Sequence, residues 1–278
     1  MKFAVSQAQR TALMTQLAPH LRADVNAGDG AQYPVVSLYF DNADRDCYWE
    51  KARGLASRRK LRVRVYGSRD GAVPATAFVE IKHKCDGRGV KRRVQLPLAQ
   101  ALRVGEGLWP EGGGPAREGA RFSESEARVI REAHDLVLRK KFRPVLVMRY
   151  DRTAYAAADP ESDLRVTFDT GVSVRFDHLT PEPDDRRFDM AGEFSEDGTA
   201  VMEVKITGCI PYWLSRTIAE TGCRMQSHSK YSSALEQSDP VLRAMLSPGW
   251  RARIAAATPP KRTAFSPMDA PAFAPVAG

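Results

Sequence analysis

The segment Lys60–Tyr66, which reads KLRVRVY, alternates basic and apolar residues as far as Val65. Successive side chains of a β-strand point to opposite faces, so the alternation predicts a strand with one apolar and one basic face. Arg62 and Arg64 would leave the same face about 7 Å apart along the strand. The segment therefore predicts a half-buried strand whose second face carries fixed positive charge.

The same alternation recurs along the chain and indicates the fold class. Helices are predicted after the capping boxes at Ser6 and Ser123 and from Pro211, and they do not alternate regularly with the strands. This order favours an α+β fold over a parallel α/β fold. The other segments with period two are 79–84 (VEIKHK), 90–96 (VKRRVQL), 164–169 (LRVTFD) and 202–206 (MEVKI).

The charged faces allow two arrangements. In an ordinary one-sided antiparallel sheet, the apolar face would pack on helices and the charged face would lie in water. Arginine and lysine recur on these faces, however, and their mutual repulsion is relieved if the sheet closes around an anion. We therefore predict a closed antiparallel β-barrel with a basic lumen and with helices packed outside.

A basic lumen indicates a phosphate ligand. Arginine offers bidentate forks to phosphate oxygens and lysine offers point charges. The interleaved carboxylates Glu80, Asp169 and Glu203 are candidates to hold Mg²⁺ or Mn²⁺ that bridges phosphate oxygens. The net charge of +8 favours a polyanionic partner but does not choose among phosphorylated metabolites, nucleic acid and anionic membranes.

Several familiar classes lack support in the sequence. It contains no GxxxxGK[ST], GxGxxG, HExxH or GxSxG motif, and its histidines show no metal-ligand spacing. Four cysteines without CxxC spacing predict reduced thiols, and we expect a cytoplasmic protein without a signal peptide or transmembrane segment. Residues 1–240 form the predicted domain, and the Pro- and Ala-rich tail at 241–278 is predicted to be disordered.

Six pieces of the sequence, in this order, resemble the VTC domain, the polyphosphate polymerase domain of the triphosphate tunnel metalloenzyme (CYTH-like) superfamily. Each piece is short, but their order over about residues 1–236 makes the resemblance specific. It implies an eight-stranded closed antiparallel tunnel. The pieces are 37–41 (SLYFD), 59–66 (RKLRVRVY), 78–82 (FVEIK), 150–155 (YDRTAY) with 164–169 (LRVTFD), 202–205 (MEVK) and 227–231 (SHSKY).

The resemblance also implies the roles of particular residues. Glu203 matches the glutamate that holds the metal, Mn²⁺ or Mg²⁺, and Lys82 and Lys230 are assigned as catalytic. The sequence departs from the family in two places: only Lys2 remains of an Arg-x-Glu-x-Lys first strand, and Ser227 stands where some polymerases carry a second lysine. The predicted phosphate- or nucleotide-binding residues are Lys2, Arg62, Arg64, Lys91, Arg152, Arg165 and Lys205.

The resulting hypothesis is an ATP-dependent polyphosphate polymerase that moves the γ-phosphate of ATP onto a phosphate chain and releases ADP. Its partners would be ATP and inorganic polyphosphate or another triphosphate, and any membrane-protein partner stays open. Two alternatives remain, a tripolyphosphatase or nucleoside triphosphatase in the same tunnel and a non-catalytic polyphosphate-binding module. Specific nucleic-acid binding is disfavoured because aromatic residues are not interleaved with the basic residues on any one strand face.

Overall fold

The computed structural model describes residues 1–24, 32–67, 76–111, 122–182, 188, 199–226 and 229–246. The chain divides into two units, Met1–Asp239 and Pro240–Gly278. The strands are β1 (Lys2–Val5), β2 (Leu21–Ala23), β3 (Gln32–Asp41), β4 (Ser57–Tyr66), β5 (Thr76–Cys85), β6 (Arg88–Pro97), β7 (Arg143–Ala157), β8 (Arg165–Arg175) and β9 (Ala200–Lys205). The helices are α1 (Gln7–Leu17), α2 (Asp46–Ala52), α3 (Leu98–Gly105), α4 (Glu124–Leu138), α5 (Tyr212–Glu220), α6 (Lys230–Ser238) and α7 (Pro240–Met245).

All the described strands belong to one antiparallel sheet. Eight of them follow the order β1-β9-β8-β7-β3-β4-β5-β6, and β2 pairs with the end of β7. The predicted α+β class and the antiparallel pairing are confirmed. The predicted disorder of the tail falls on residues that lie outside the described ranges, apart from the helix α7.

The sheet curls so that its two ends approach each other. Lys2 on β1 and Lys82 on β5 are six strand positions apart, a separation of about 29 Å in a flat sheet. Burial lowers the pKa of Lys82, and the positive charge of Lys2 lowers that pKa further. Contacts at the start of α6 agree with a curved sheet: Lys230 donates to Asp169 on β8, and Ser229, the residue before it, lies 3.5 Å from Lys60 on β4, three strand positions away. We call its inner surface the concave face.

The predicted closure into a barrel is wrong. Among the described residues, no hydrogen-bonded ladder joins β1 to β6. The outer edge of β1 is instead occupied by the chain after α5: Met225 pairs with Phe3, and the amide of Gln226 donates to the carbonyl of Lys2 at 2.9 Å. Strand β1 is only four residues long. Met225 and Gln226 therefore occupy the backbone groups that β1 would need to pair with β6.

A β-bulge contributes to the curvature. Strand β8 runs continuously through Gly171. Gly171 has φ +58°, a conformation that glycine adopts without a steric cost, and the pairing with β7 shifts between Arg149 and Asp151. Bulges bend and twist the strand that carries them, so Gly171 bends β8 without ending it.

Helices cover the convex, apolar face of the sheet, as predicted. On one side α1 and α5 enclose a core that includes Phe3, Leu13 and Met202. On the other side α3 and α4 lie over β5 and β6. Gly105 at the end of α3 lies against Phe40, where an added Cβ would stand only 2.6 Å from the ring carbon Cζ. The close approach of α3 to the sheet therefore requires glycine at this position.

Helix α6 differs from the others because its first turn reaches the concave side. The hydroxyl of Tyr231 donates to Oδ2 of the buried Asp41 at 2.6 Å, and its ring stacks on Tyr39 at 5.2 Å. Asp41 also accepts hydrogen bonds from the amides of Asn42 and Cys47. These contacts tie α6 to β3 and to the start of α2.

All four cysteines are free. Among the helices that the structure describes, none combines the length and the apolar character that crossing a membrane requires.

We predict that Tyr231→Phe destabilises the fold. The variant keeps the stacked ring but removes the hydroxyl, so a buried carboxylate loses a donor at a cost of about 1–3 kcal/mol. Urea unfolding followed by far-UV circular dichroism measures the change. Tyr212→Phe is the matched control, because Tyr212 is 79% exposed. Equal unfolding free energies for wild type and Tyr231→Phe would show that this bond does not hold α6.

Candidate anion-binding site on the concave face

The basic residues of alternate strand positions meet on the concave face. Period-two alternation aims them to one side of each strand, and the curvature then points the strands toward one another. Basic residues lie there on β1, β4, β5, β6, β7, β8 and β9 and on the first turn of α6. They are Lys2, Lys60, Arg62, Arg64, Lys82, Lys91, Arg93, Arg152, Arg165, Lys205 and Lys230.

Glu80 is the carboxylate at the centre of the first basic cluster. It is 1% exposed and accepts hydrogen bonds from Nε of Arg62 at 2.7 Å and from Nζ of Lys91 at 3.0 Å. Arg64 lies 3.8 Å away from Glu80 and donates to the hydroxyl of Ser37 at 2.9 Å. Burial raises the pKa of Glu80, but the charges of Arg62 and Arg64 outweigh burial and bring the pKa to about 2. Glu80 is therefore ionised and fully engaged.

Asp169 has the same role in the second cluster. Arg152 binds it through two nitrogens, at 2.7 Å and 2.9 Å, and Nζ of Lys230 donates to it at 2.5 Å. Burial raises the pKa of Asp169, but Lys230 and Arg152 reverse the effect and bring the pKa to about 2. Asp169 connects β8, β7 and α6. This carboxylate therefore positions Lys230 inside the curved sheet.

The remaining predicted residues lie around these clusters. Arg165 pairs with Asp24 at 2.9 Å, and its side chain also reaches the hydroxyl of Tyr33 at 3.4 Å. Lys2 stands opposite Glu203 in the register of β1 and β9. Lys82 and Lys205 are more exposed than the arginines. The structure thus brings all the predicted site residues to one surface, while their roles remain predictions.

Glu203 is the carboxylate best placed to accept a metal ion. Unlike Glu80 and Asp169, it makes just one loose ion pair among the described residues, 3.9 Å from Lys205, and its side chain is 25% exposed. Burial raises its pKa, but Lys205 and Lys2 outweigh burial and the pKa lies below its usual value. In the described part of the chain, no three histidine, cysteine or acidic residues cluster as a metal site would require. A cation at Glu203 would therefore need ligand phosphates for most of its coordination.

Lys60 belongs to this surface although we did not select it from the sequence. It is two positions before Arg62, so the period-two pattern already placed it on the same face. Its Nζ lies 3.5 Å from the hydroxyl of Ser229 and 4.6 Å above the ring of Tyr231. No carboxylate pairs with it among the described residues. Burial lowers the pKa of Lys60 to about 8, so its charge is present at neutral pH and is lost just above it.

Aromatic rings on the concave face were also missed. We expected no strand face to carry both aromatic and basic residues, but Tyr66 shares a face of β4 with Arg64, and Tyr150 shares a face of β7 with Arg152. Arg62 lies 5.9 Å from the ring of Tyr39 on β3, and its hydrogen bond to the Tyr39 hydroxyl is 3.2 Å long. Burial raises the pKa of Tyr39, but the positive charges of Arg62, Arg64 and Lys230 together outweigh burial and bring the pKa to about 8. Lys230 lies 4.9 Å from the ring of Tyr150 on β7.

This arrangement can bind an elongated polyanion and stabilise charge that develops on it. Buried carboxylates hold the guanidinium groups in fixed positions. The oxygens of a phosphate would therefore meet hydrogen-bond donors that need little reorganisation. Further cations, Lys60 and Lys82 among them, have no ion pair with a carboxylate in the described residues. The concave face therefore has positive charge available for a ligand.

Comparisons with known proteins identify sequences similar to this chain. The sequence model of the VTC domain matches residues 1–238. Subunit 4 of the vacuolar transporter chaperone complex of Schizosaccharomyces pombe is 28% identical over 150 residues, which are 50% of the present chain but only 20% of the yeast protein.

One solved structure superposes on much of the chain. It is a Bacillus halodurans protein described provisionally as an adenylate cyclase, with a TM-score of 0.46 and 13% identity over 83% of this chain and 92% of that chain.

The family match extends across the whole curved sheet and through the end of α6, and it includes all six pieces that carry the resemblance. That resemblance is confirmed: the chain belongs to the VTC domain family.

Proposed function

We propose that the protein catalyses metal-dependent phosphoryl transfer on polyphosphate, with ATP as the phosphoryl donor and ADP as the released product. The observation that supports this most directly is the concave face itself, where basic side chains from seven strands and α6 surround two buried, fully paired carboxylates. Such a surface matches the charge and the length of a phosphate chain. Membership of the VTC domain family supports the same proposal.

The residues divide by position along the concave face. Arg62, Arg64 and Arg152 are held by buried partners and would orient the phosphates through forked hydrogen bonds. Lys82 and Lys230, at the end next to α6, would neutralise charge on the phosphoryl group in transfer. Phosphoryl transfer depends on such positioning and neutralisation, so no side-chain nucleophile is required, and the terminal phosphate of the chain would attack.

A divalent cation, Mn²⁺ or Mg²⁺, belongs to the proposal. When bound it would neutralise charge on bridged phosphate oxygens. Of the carboxylates on this face, Glu203 would hold it, because Glu80 and Asp169 are already engaged by arginine and lysine.

Turnover of ATP tests the proposal. Purified protein is incubated with ATP and Mn²⁺, and ADP, inorganic phosphate and polyphosphate are measured separately. We expect ADP and polyphosphate to accumulate together. Release of ADP with an equal amount of inorganic phosphate would identify a triphosphatase, in which water attacks instead. Binding of polyphosphate without any turnover would identify a binding module.

The place of the protein in the cell is part of the same hypothesis. The yeast relative is named as a subunit of a complex, and we infer that this domain also works with a protein partner. A cytoplasmic location and the absence of a specific nucleic-acid ligand remain predictions. A pull-down with polyphosphate beads, challenged with free polyphosphate or with RNA, tests the choice of ligand.

We predict that Glu203→Gln separates binding from catalysis. The variant keeps the shape of the side chain but loses the charge that would hold the cation, so turnover should fall at least about tenfold at limiting Mn²⁺. Affinity for tripolyphosphate without metal should be kept or increased, since a negative charge is removed from the site. Glu161→Gln, at an exposed position before β8, is the control. Unchanged turnover of Glu203→Gln at every Mn²⁺ concentration would remove Glu203 from the mechanism.

The pKa of Lys60 predicts how anion binding depends on pH. The ammonium form is favoured by a bound anion, so binding raises the pKa above about 8 and takes up protons near pH 8.5. Affinity should therefore decline as pH rises from 7 to 9. Deprotonation of Tyr39, whose pKa is also about 8, acts in the same direction.

Calorimetry with tripolyphosphate in buffers of different ionisation enthalpy measures this proton uptake. Lys60→Met should bind roughly 10- to 100-fold more weakly at pH 7 and should take up fewer protons than wild type at pH 8.5. Lys140→Met, an exposed change at the end of α4, is the control. Tripolyphosphate also changes its protonation on binding, but this contribution is the same for each protein and cancels when variants are compared. Identical proton uptake in Lys60→Met and wild type would contradict the prediction.

A further inference from the structure

Three aromatic rings form a continuous group on the concave face. Tyr33 of β3 and Tyr66 of β4 have ring centroids 6.0 Å apart, and Tyr66 meets Phe78 of β5 edge to face at 5.7 Å. All three rings are half-buried, unlike Tyr150, which is 2% exposed. They therefore offer aromatic surface at a position that a ligand can reach.

A planar cation extends this group. The guanidinium carbon of Arg93 on β6 lies 4.5 Å from the centroid of Phe78, and Arg93 is exposed. No carboxylate pairs with Arg93 within the described ranges. We call Tyr33, Tyr66, Phe78 and Arg93 the rim cluster. Aromatic rings and arginine planes of this kind stack on the faces of nucleobases.

The rim cluster lies at the opposite end of the concave face from α6. Tyr66 is six residues from Lys60 along β4, a distance of about 20 Å, and Tyr33 is six residues from Tyr39 along β3. Lys60 and Tyr39 both contact Tyr231 of α6. A phosphate chain between the two ends would pass Arg62 and Arg64.

The cluster is also joined to the basic residues that would bind phosphate. Arg64 lies 5.9 Å from the ring of Tyr66, and Arg165 reaches the hydroxyl of Tyr33 at 3.4 Å. A ligand that places a flat group on the rings would therefore place its adjoining phosphates beside Arg64 and Arg165. That combination of a planar group and a phosphate chain is a nucleoside triphosphate.

We propose that the rim cluster is a nucleobase subsite, which holds the base of a nucleoside triphosphate while its phosphates extend toward Lys230 and α6. The inference rests on the proposed function, because it assigns the donor to a defined end of the same site. Stacking uses faces that every base has, so the subsite discriminates weakly among purines.

Paired titrations test this subsite. Calorimetry measures the affinities of ATP and of tripolyphosphate for wild type, Phe78→Leu and Tyr66→Leu. Loss of a stacked ring should weaken ATP binding about 5- to 100-fold while tripolyphosphate binding stays within about twofold. Phe78→Trp, which keeps an aromatic face, should restore ATP affinity. Tyr212→Leu, at a 79% exposed position on α5, is the matched control and should change neither affinity.

A spectroscopic readout follows the base directly. The triphosphate of 2-aminopurine riboside is fluorescent, and stacking on an aromatic ring quenches it. We expect quenching by wild type and Phe78→Trp and little quenching by Phe78→Leu. Retained tripolyphosphate binding shows that each variant is folded.

The possible failures can be distinguished. If Phe78→Leu weakens ATP and tripolyphosphate equally, the rings serve only to position arginines and the subsite is wrong. If neither affinity changes, the rings only pack against one another and the subsite is again wrong. The proposed function would still stand in that case. If wild type binds neither ligand, the proposed function fails and the subsite fails with it.

Discussion

The neutralisation of crowded cations by Glu80 and Asp169 is the interaction on which the site depends. Basic side chains on neighbouring strands of a curved sheet repel one another, and water screens them poorly once they are buried. Each carboxylate has a pKa of about 2 and remains ionised at neutral pH. Both are almost inaccessible to solvent and bridge different strands. They therefore fix the arginines without removing all of the positive charge.

The same balance explains why this surface suits an exchangeable anion. Arginines that are already oriented meet a phosphate with little loss of side-chain freedom, which favours binding and the stabilisation of a transition state. Lys60 and Lys82 have no ion pair with a carboxylate in the described residues, and burial lowers the pKa of each. A bound anion would favour the charged form of both lysines. Glu203, which has one loose ion pair among the described residues, is the carboxylate that we propose for a cation.

Helix α6 and the edge of β1 set the limits of the surface. Tyr231 anchors α6 through the buried Asp41, and this anchor brings Lys230 to Asp169. The chain just before α6 occupies the outer edge of β1 through Met225 and Gln226. One stretch of about seven residues thus provides a site lysine and also prevents β1 from pairing with β6. The sheet encloses its ligand face by curvature instead of by closure.

The sequence by itself determined which side chains share a face, because period-two alternation follows from strand geometry alone. It was enough to predict the antiparallel α+β fold, the basic surface and, through six short pieces, the family. The continuity of β8, the open edge at β1 and the commitment of Glu80 and Asp169 to arginines came only from the tertiary structure. So did the rim cluster, whose rings come from β3, β4 and β5. Register, curvature and contacts between distant segments decide these features, and a pattern along one strand does not contain them.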